Sequence, residues 1–190
     1  MSDSHLSSIL DALDRAADRE QVSIRQILQE LGETSFAPLL LVPALLLVSP
    51  LSGIPGVPTL GAIVMSLIVV QSIAGRSHIW LPDVLLRRQV AGKRLGKSVD
   101  WIRKPALWIN RHTRRRMAWL TRWPLKLIPL LVALAICAVL PLLELLPFVT
   151  STGAVAISLF AVGILARDGL FVVFGFLFTG TLAGAVLYLV

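Results

Sequence analysis

Apolar and polar blocks alternate along this chain, and each block predicts a different kind of helix. Residues 1–33 are polar, with apolar residues at helical spacing, and predict two short amphipathic helices on the cytoplasmic side. The apolar stripes are Leu6, Ile9, Leu10 and Leu13, then Ile24, Ile27, Leu28 and Leu31. Ser23 is the expected N-cap of the second helix and Gly32 its expected stop. We expect these helices to pack on each other or on the apolar blocks, with partner docking as the alternative.

Residues 34–75 and 127–190 are the apolar blocks. The first has no charged residue, and the second has only Glu144, Arg167 and Asp168. Uncharged runs of about 18 or more residues indicate membrane-spanning helices. The hydrophobic fraction of 56%, the charged fraction of 15% and the mean hydropathy of +0.80 agree with this. The chain is therefore predicted to be an all-α integral membrane protein with about five membrane-embedded helical segments.

The two apolar blocks contain an internal repeat. Ile54–Ser77 (IPGVPTLGAIVMSLIVVQSIAGRS) aligns with Leu146–Gly169 (LPFVTSTGAVAISLFAVGILARDG) at a shift of 92 residues. Each copy has the form Pro-x-Val-x-(Thr/Ser)-x-Gly-Ala-x-x-x-Ser-Leu. Proline starts or breaks a helix, and the small residues permit close contacts between helices in lipid. The blocks are therefore predicted to be two membrane repeats.

Residues 76–126 form a basic segment with 14 of the 18 Lys and Arg residues, two acidic residues and all five tryptophans. This combination is typical of a segment at the head groups of an anionic leaflet, and the positive-inside rule makes it cytoplasmic. Nucleic acid is not expected as a partner, because the flanking apolar blocks hold the segment at a bilayer. The predicted membrane-surface residues are Arg114, Arg115, Arg116, Trp119 and Trp123.

The prolines of SPLSGIPGVPT, residues 49–59, leave two topologies open. If this stretch is a loop outside the bilayer, residues 34–75 cross twice, five spans result and the repeats are parallel. If it is a re-entrant segment, the number of crossings changes by one and the repeats are inverted.

Paired helix breaks are the predicted substrate-binding region, because free N–H groups at a helix start attract anions. The candidate residues are Pro55, Gly56, Pro58, Gly61, Arg76, Glu144, Pro147, Ser151, Gly153, Arg167 and Asp168. In the alternative, the small residues serve helix packing and the charges anchor helix ends. If the corners form one site, leucine at Gly61 or Gly153 should damage function more than leucine at Gly163.

The sequence contains no catalytic constellation. His5, His78 and His112 have no carboxylate or cysteine at ligand spacing, and the single cysteine, Cys137, lies in an apolar run. A Gly-rich phosphate loop and a nucleophile elbow are both absent from the sequence. The chain is therefore predicted not to be an enzyme and to require no metal or cofactor.

Several stretches resemble the exopolysaccharide synthesis family called ExoD. They are LGETSFAPLLLVPALLLVSPLSGIPG, GRSHIWLP, the basic segment and ARDG, and the resemblance runs from about Val22 to Val190. Its most specific pieces are Pro55-Gly56, Trp80-Leu81-Pro82 and Arg167-Asp168-Gly169. The resemblance implies a multi-pass protein of the bacterial inner membrane that is required for normal exopolysaccharide production.

Three functions from different classes are open, of which a membrane enzyme acting on lipid-linked sugar ranks last. The leading hypothesis is transport or translocation of an anionic substrate, such as a polyprenyl-phosphate carrier lipid. The alternative is a non-transporting scaffold that holds exopolysaccharide synthesis enzymes through residues 1–33 and 76–126. Membrane lipids with anionic head groups and the synthesis machinery are the expected partners, and both hypotheses are compatible with a homo-oligomer.

Overall fold

The computed structural model describes residues 5–19, 21–31, 36–76, 80–112, 117–142, 144 and 147–189. Within these residues the chain is almost entirely helical, which confirms the predicted all-helical class. The helices are α1 (His5–Ala17), α2 (Ile24–Leu31), α3 (Phe36–Val48), α4 (Val57–Ile73), α5 (Asp83–Leu86), α6 (Gly92–His112), α7 (Leu127–Val139), α8 (Pro147–Ala166) and α9 (Gly169–Leu189). A short ribbon, β1 (Gln21–Ser23) antiparallel to β2 (Gln89–Ala91), was not predicted.

The apolar blocks fold into α3, α4, α7, α8 and α9, the five helical segments that the sequence predicts there. Short 3-10 turns at Pro50–Gly53 and Ala118–Thr121 precede α4 and α7. In the part of the chain that the structure describes, no helix has both the length and the apolar character needed to cross a membrane.

The repeat extends over two helical hairpins. At the shift of 92 residues, α3 falls on 128–140 and α4 falls on 149–165, so α3–α4 corresponds to α7–α8. Within the first hairpin α3 packs on α4, and within the second α7 packs on α8. Between the two hairpins, α4 packs on α7 and α3 packs on α8. Each helix therefore contacts the same two neighbours as its repeat partner, and the four form one core, with α9 packed on α8.

Both hairpin turns lie at the same end of this core. The end of α3 lies against the start of α4 at Gly61, and the end of α7 lies against the start of α8 at Gly153. Glu144 in the second turn is hydrogen-bonded to Gly56 in the first. The repeats are therefore parallel, which the sequence left open.

The repeat helices α4 and α8 also end alike. Gly75 follows α4 in the left-handed conformation, with φ +68°, and the N–H of Arg76 donates to a carbonyl in the last turn. At the equivalent position after α8, Arg167 has φ +54°, and the N–H of Asp168 makes the corresponding bond. Both are Schellman caps. Arg167 thus adopts a conformation that favours glycine, at a cost of roughly 1 kcal/mol.

A polar layer of α1, α2, α5, α6 and the ribbon lies beside the core. α1 and α2 pack on each other, as expected, and α1 also packs on α6, which was not expected. Arg103 of α6 pairs with Asp14 of α1 and lies 3.7 Å from Asp11. The layer meets the core where α6 contacts α3 and the Pro50–Gly53 turn.

Ser23 caps α2, as predicted. The N–H of Gln26 donates to Ser23 Oγ at 3.3 Å, and the N–H of Ser23 donates to Gln26 Oε1 at 2.9 Å. This reciprocal pair is a capping box, which satisfies two N–H groups that the helix itself leaves free. The predicted stop at Gly32 lies outside the described residues.

The glycines of the core mark close approaches between helices. A Cβ atom at Gly61 would meet Leu47 at 2.5 Å, and one at Gly163 would meet Val172 at 2.7 Å. Gly163 is therefore as tightly packed as Gly61, and the expectation that it tolerates leucine better has no support from the packing.

Gly61→Leu, Gly153→Leu and Gly163→Leu should each lower the free energy of unfolding by roughly 1–3 kcal/mol, because the added carbons overpack a helix contact. Gly180→Leu on α9 is the matched control, since no other helix among the described residues lies within 4 Å of its Cβ position. Thermal unfolding of the four variants in detergent measures this. A Gly61→Leu variant as stable as Gly180→Leu would contradict the packing described.

Candidate functional site

One side chain joins the two hairpin turns. The carboxylate of Glu144 accepts a hydrogen bond from the backbone N–H of Gly56 and another from the hydroxyl of Thr59. Gly56 is the N-cap of α4 and Thr59 lies in its first turn, where N–H groups lack partners inside the helix. Glu144 therefore caps α4 from 88 residues further along the chain.

Gly56 explains why the cap comes from elsewhere. Its φ of +87° lies in the left-handed region that favours glycine, and glycine has no side chain with which to cap α4. Pro58 follows in the first turn, where its missing N–H removes no helical hydrogen bond. The predicted corner at Pro55–Gly61 is thus a helix start whose side-chain acceptor is supplied by the other repeat.

The same hydrogen bonds favour the ionised form of Glu144. The N–H of Gly56, with the hydroxyl of Thr59 as the second cause, holds the pKa of the Glu144 carboxyl below its ordinary value of 4.5. The side chain is partly exposed, so solvent screens the interaction. At neutral pH the start of α4 therefore carries a resident anion.

This resident anion bears on the predicted substrate site. The sequence led us to expect a substrate phosphate at the start of α4, where Glu144 now lies. A substrate anion would have to displace the Glu144 carboxylate from Gly56 and Thr59. Substrate binding by Pro55, Gly56 and Pro58 stays a prediction, with movement of Glu144 as an added condition.

The second corner consists mainly of packing contacts. α8 begins at Pro147, which suits proline because the first helical position needs no N–H. Gly153 lies against α7 and Gly61 lies against α3, so each glycine allows two helices to pack closely. Ser151, the repeat partner of Thr59, is partly buried in the first turns of α8. Helix packing, the alternative to substrate binding, therefore explains the positions of the two glycines.

Three of the predicted site residues lie at the opposite end of the core. Arg76 and Arg167 are exposed just beyond the ends of α4 and α8. Asp168 is buried, and its carboxylate accepts a hydrogen bond from the N–H of Leu170 at 3.1 Å, so it is the N-cap of α9. The predicted single site is therefore divided between the two ends.

A cavity of about 130 Å³ lies at this second end, between the starts of α3 and α7 and the ends of α4 and α8. Its lining is apolar apart from Ser72 and Lys126. Sequence reasoning missed both residues, because a single serine inside an apolar block and a lysine at its edge carry no motif.

Exposed tryptophans lie at the same end. Trp80 is 61% exposed, Trp119 55% and Trp123 69%. Gln71 near the end of α4 fixes Trp80 through the backbone, since it accepts from the Trp80 N–H at 2.6 Å and donates to the Trp80 carbonyl at 2.8 Å. Exposed tryptophan is typical of a membrane interface, and the membrane-surface role of Trp119 and Trp123 stays a prediction. Arg114, Arg115 and Arg116 lie outside the described residues.

Within the described residues, no group of three or more His, Cys, Asp and Glu side chains could hold a metal ion. Cys137 is buried and forms no disulfide there. That the chain is not an enzyme and needs no cofactor stays a prediction.

Comparison with known proteins identifies a family. The family model described as "Exopolysaccharide synthesis, ExoD" matches residues 6–189. "Protein ExoD" of Rhizobium meliloti (strain 1021) is 30% identical over 178 residues, which cover 91% of this chain and 72% of that protein. No solved structure matches this chain. The family match begins before Val22, where the resemblance was expected to start, and so includes α1.

Glu144→Gln should lower the free energy of unfolding at neutral pH by about 1 kcal/mol, because an amide replaces the carboxylate as cap and solvent screens the loss. Since the pKa of Glu144 is lowered in the folded state, its contribution is present above pH 4.5 and is lost as pH falls through the folded-state pKa. The difference in Tm between wild type and variant, measured in detergent, should therefore shrink at low pH.

The matched control is Asp100→Asn, which neutralises an exposed acid on α6 that has no side-chain partner among the described residues. Its effect on Tm should be small at every pH. A Tm difference for Glu144→Gln that stays constant from neutral to acid pH would show that the carboxylate charge does not stabilise α4.

Proposed function

Because the chain belongs to the exopolysaccharide synthesis family ExoD, we propose that it acts in that synthesis as a membrane-inserted protein which translocates an anionic lipid. Family membership indicates the role in exopolysaccharide synthesis. Insertion into the bacterial inner membrane and a substrate such as a polyprenyl-phosphate carrier lipid are the parts that the proposal adds.

The proposal rests on the outer surface of the core. None of α3, α4, α7, α8 and α9 contains a charged residue. Large apolar side chains are nevertheless exposed on three of these helices: Ile63 and Val70 of α4, Ile128 and Leu131 of α7, and Val173, Phe174 and Leu177 of α9. An exposed apolar surface of this extent marks contact with lipid or with another protein. We assign it to lipid because exposed tryptophans border it at one end.

The contact between α6 and the Pro50–Gly53 turn favours one topology. In the five-span arrangement, this turn and residues 76–126 lie on opposite sides of the bilayer. α6 belongs to that segment and packs on the turn, so a bilayer between them is incompatible with the contact. We therefore propose that neither hairpin crosses the bilayer: α3–α4 lies re-entrant in the cytoplasmic leaflet with its turn at the cytoplasmic surface, and the parallel hairpin α7–α8 does the same.

An anionic lipid suits the distribution of charge. The net charge is +7. Lys93, Arg94, Lys97 and Lys104 are exposed on α6, beside the uncharged core. Basic residues at a membrane surface attract anionic head groups, and an apolar core accepts hydrocarbon. A carrier lipid that joins a phosphate to a long apolar chain would meet both surfaces.

The scaffold function remains the alternative. It requires residues 1–33 and 76–126 to offer surfaces to synthesis enzymes. Instead, α1 covers part of α6, and Arg103 pairs with Asp14 between them. The surface left for docking is therefore smaller than the sequence suggests, which favours translocation.

Cysteines introduced at Gly53, in the turn, and at Lys97, on α6, should respond alike to a membrane-impermeant thiol reagent. Both positions are exposed, the native Cys137 is buried, and the contact of α6 with the turn requires both to lie on one side of the bilayer, which the proposal makes the cytoplasmic side. Neither should be labelled in intact cells, and both should be labelled in detergent, which serves as the control. Labelling of Gly53→Cys alone in intact cells would support the five-span arrangement instead.

Proteoliposomes containing the full chain should accelerate the movement of a fluorescent polyprenyl phosphate between leaflets several-fold over protein-free liposomes. Bleaching of the outer-leaflet label by dithionite measures this movement. A neutral polyprenol with the same label is the control, and it should move at the protein-free rate. A scaffold predicts no acceleration of either lipid.

A further inference from the structure

We propose that the cavity at the tryptophan-bearing end of the core binds the apolar chain of one amphiphile, whose anionic head group pairs with Lys126. This site lies at the end of the core opposite to the Glu144 cap. It rests on the proposed function in one respect, because an amphiphile of this kind is the substrate class which that function requires.

The cavity has the size and the walls of a chain-binding site. Its volume is about 130 Å³, and Phe36, Leu40 and Ile68 are among the apolar side chains around it. Apolar cavities of about 150 Å³ stay free of water and accept a ligand as large as benzene. A short stretch of hydrocarbon would therefore replace empty space with favourable contacts.

Its position follows from the repeat. Val69 and Ala161 are equivalent at the shift of 92 residues, as are Ser72 and Ile164, and all four line the cavity. The cavity therefore lies where the two parallel hairpins face each other. Ser72 against Ile164 makes one side of it more polar than the other.

Lys126 and Ser72 are the polar groups of the cavity. Lys126 immediately precedes α7 and is partly buried, as is Ser72. Among the described residues, neither side chain has a hydrogen-bond or ion-pair partner. A partly buried ammonium group beside an apolar wall is costly without a counter-charge, so an anion bound there would be stabilised.

The surrounding tryptophans fix the level of the head group. Trp123 lies three residues before Lys126, and Trp80 is held at the end of α4 by Gln71. Tryptophan at an interface sits among lipid head groups. A lipid with its phosphate at Lys126 would therefore have its head group at the tryptophan level and the nearest part of its chain in the cavity. Free phosphate would leave the apolar walls unfilled, and a neutral amphiphile would leave Lys126 unpaired.

Binding of dodecyl phosphate to the full chain tests the site. The chain is kept in a neutral steroid-based detergent whose ring system is too wide to enter the cavity. Native mass spectrometry reads the bound fraction. Wild type should bind one dodecyl phosphate and should bind dodecanol and inorganic phosphate more weakly. Lys126→Met should weaken binding of dodecyl phosphate about fivefold to tenfold, while Lys97→Met, which removes an exposed lysine from α6, should not.

A second variant tests the chain-binding part. Ala37 lines the cavity, and Ala37→Leu should fill it. Binding should then fall more than about tenfold with no loss of Tm, because the added carbons occupy empty space. If this variant does not fold, the Lys126→Met comparison decides by itself.

Three results would overturn the site. They are no binding of dodecyl phosphate to wild type, equal binding to Lys126→Met and Lys97→Met, and dodecanol or inorganic phosphate binding as tightly as dodecyl phosphate. Translocation in proteoliposomes despite such a result would leave the proposed function standing on another site. If both cavity variants lose the probe but translocate normally, the site is confirmed and its part in translocation is excluded.

Discussion

The carboxylate of Glu144 holds the two repeats in register. A helix that begins with glycine at its N-cap has no side chain with which to satisfy its first N–H groups, so those groups need another partner. Glu144 provides it across 88 residues, from the other hairpin. The contact requires both turns to lie at one end of the core, so the hairpins are parallel, and the cavity and the tryptophans lie at the other end.

The apolar helices, their caps and the internal repeat could be predicted from the sequence, because each is visible in the order of the residues alone. The five apolar helices, the Ser23 cap and the proline start of α8 are of this kind. Long-range choices could not be predicted. Whether Glu144 binds a substrate or caps α4, and whether Gly163 tolerates bulk, depends on which helix packs opposite, and nothing in the local pattern specifies that.

The two copies have kept the same backbone and diverged where side chains meet a neighbour. Gly75 and Arg167 occupy the same left-handed position, although only glycine adopts it without strain. Glu144 is the repeat partner of Ser52, whose hydroxyl donates to the nearby carbonyl of Ser49 at 3.1 Å. One copy therefore makes a local contact where the other supplies a cap to its partner hairpin.

This difference between the copies gives the cavity two different sides. A symmetric pair of hairpins would present the same groups at both faces of the cavity, with a serine at each of the two equivalent positions. Ser72 and Lys126 line the cavity, and Ile164 stands at the position equivalent to Ser72, so the lining offers polar groups for the single head group that we propose and apolar walls for its chain. The five core helices carry no charged residue, which suits the lipid contact that we propose for their outer surface.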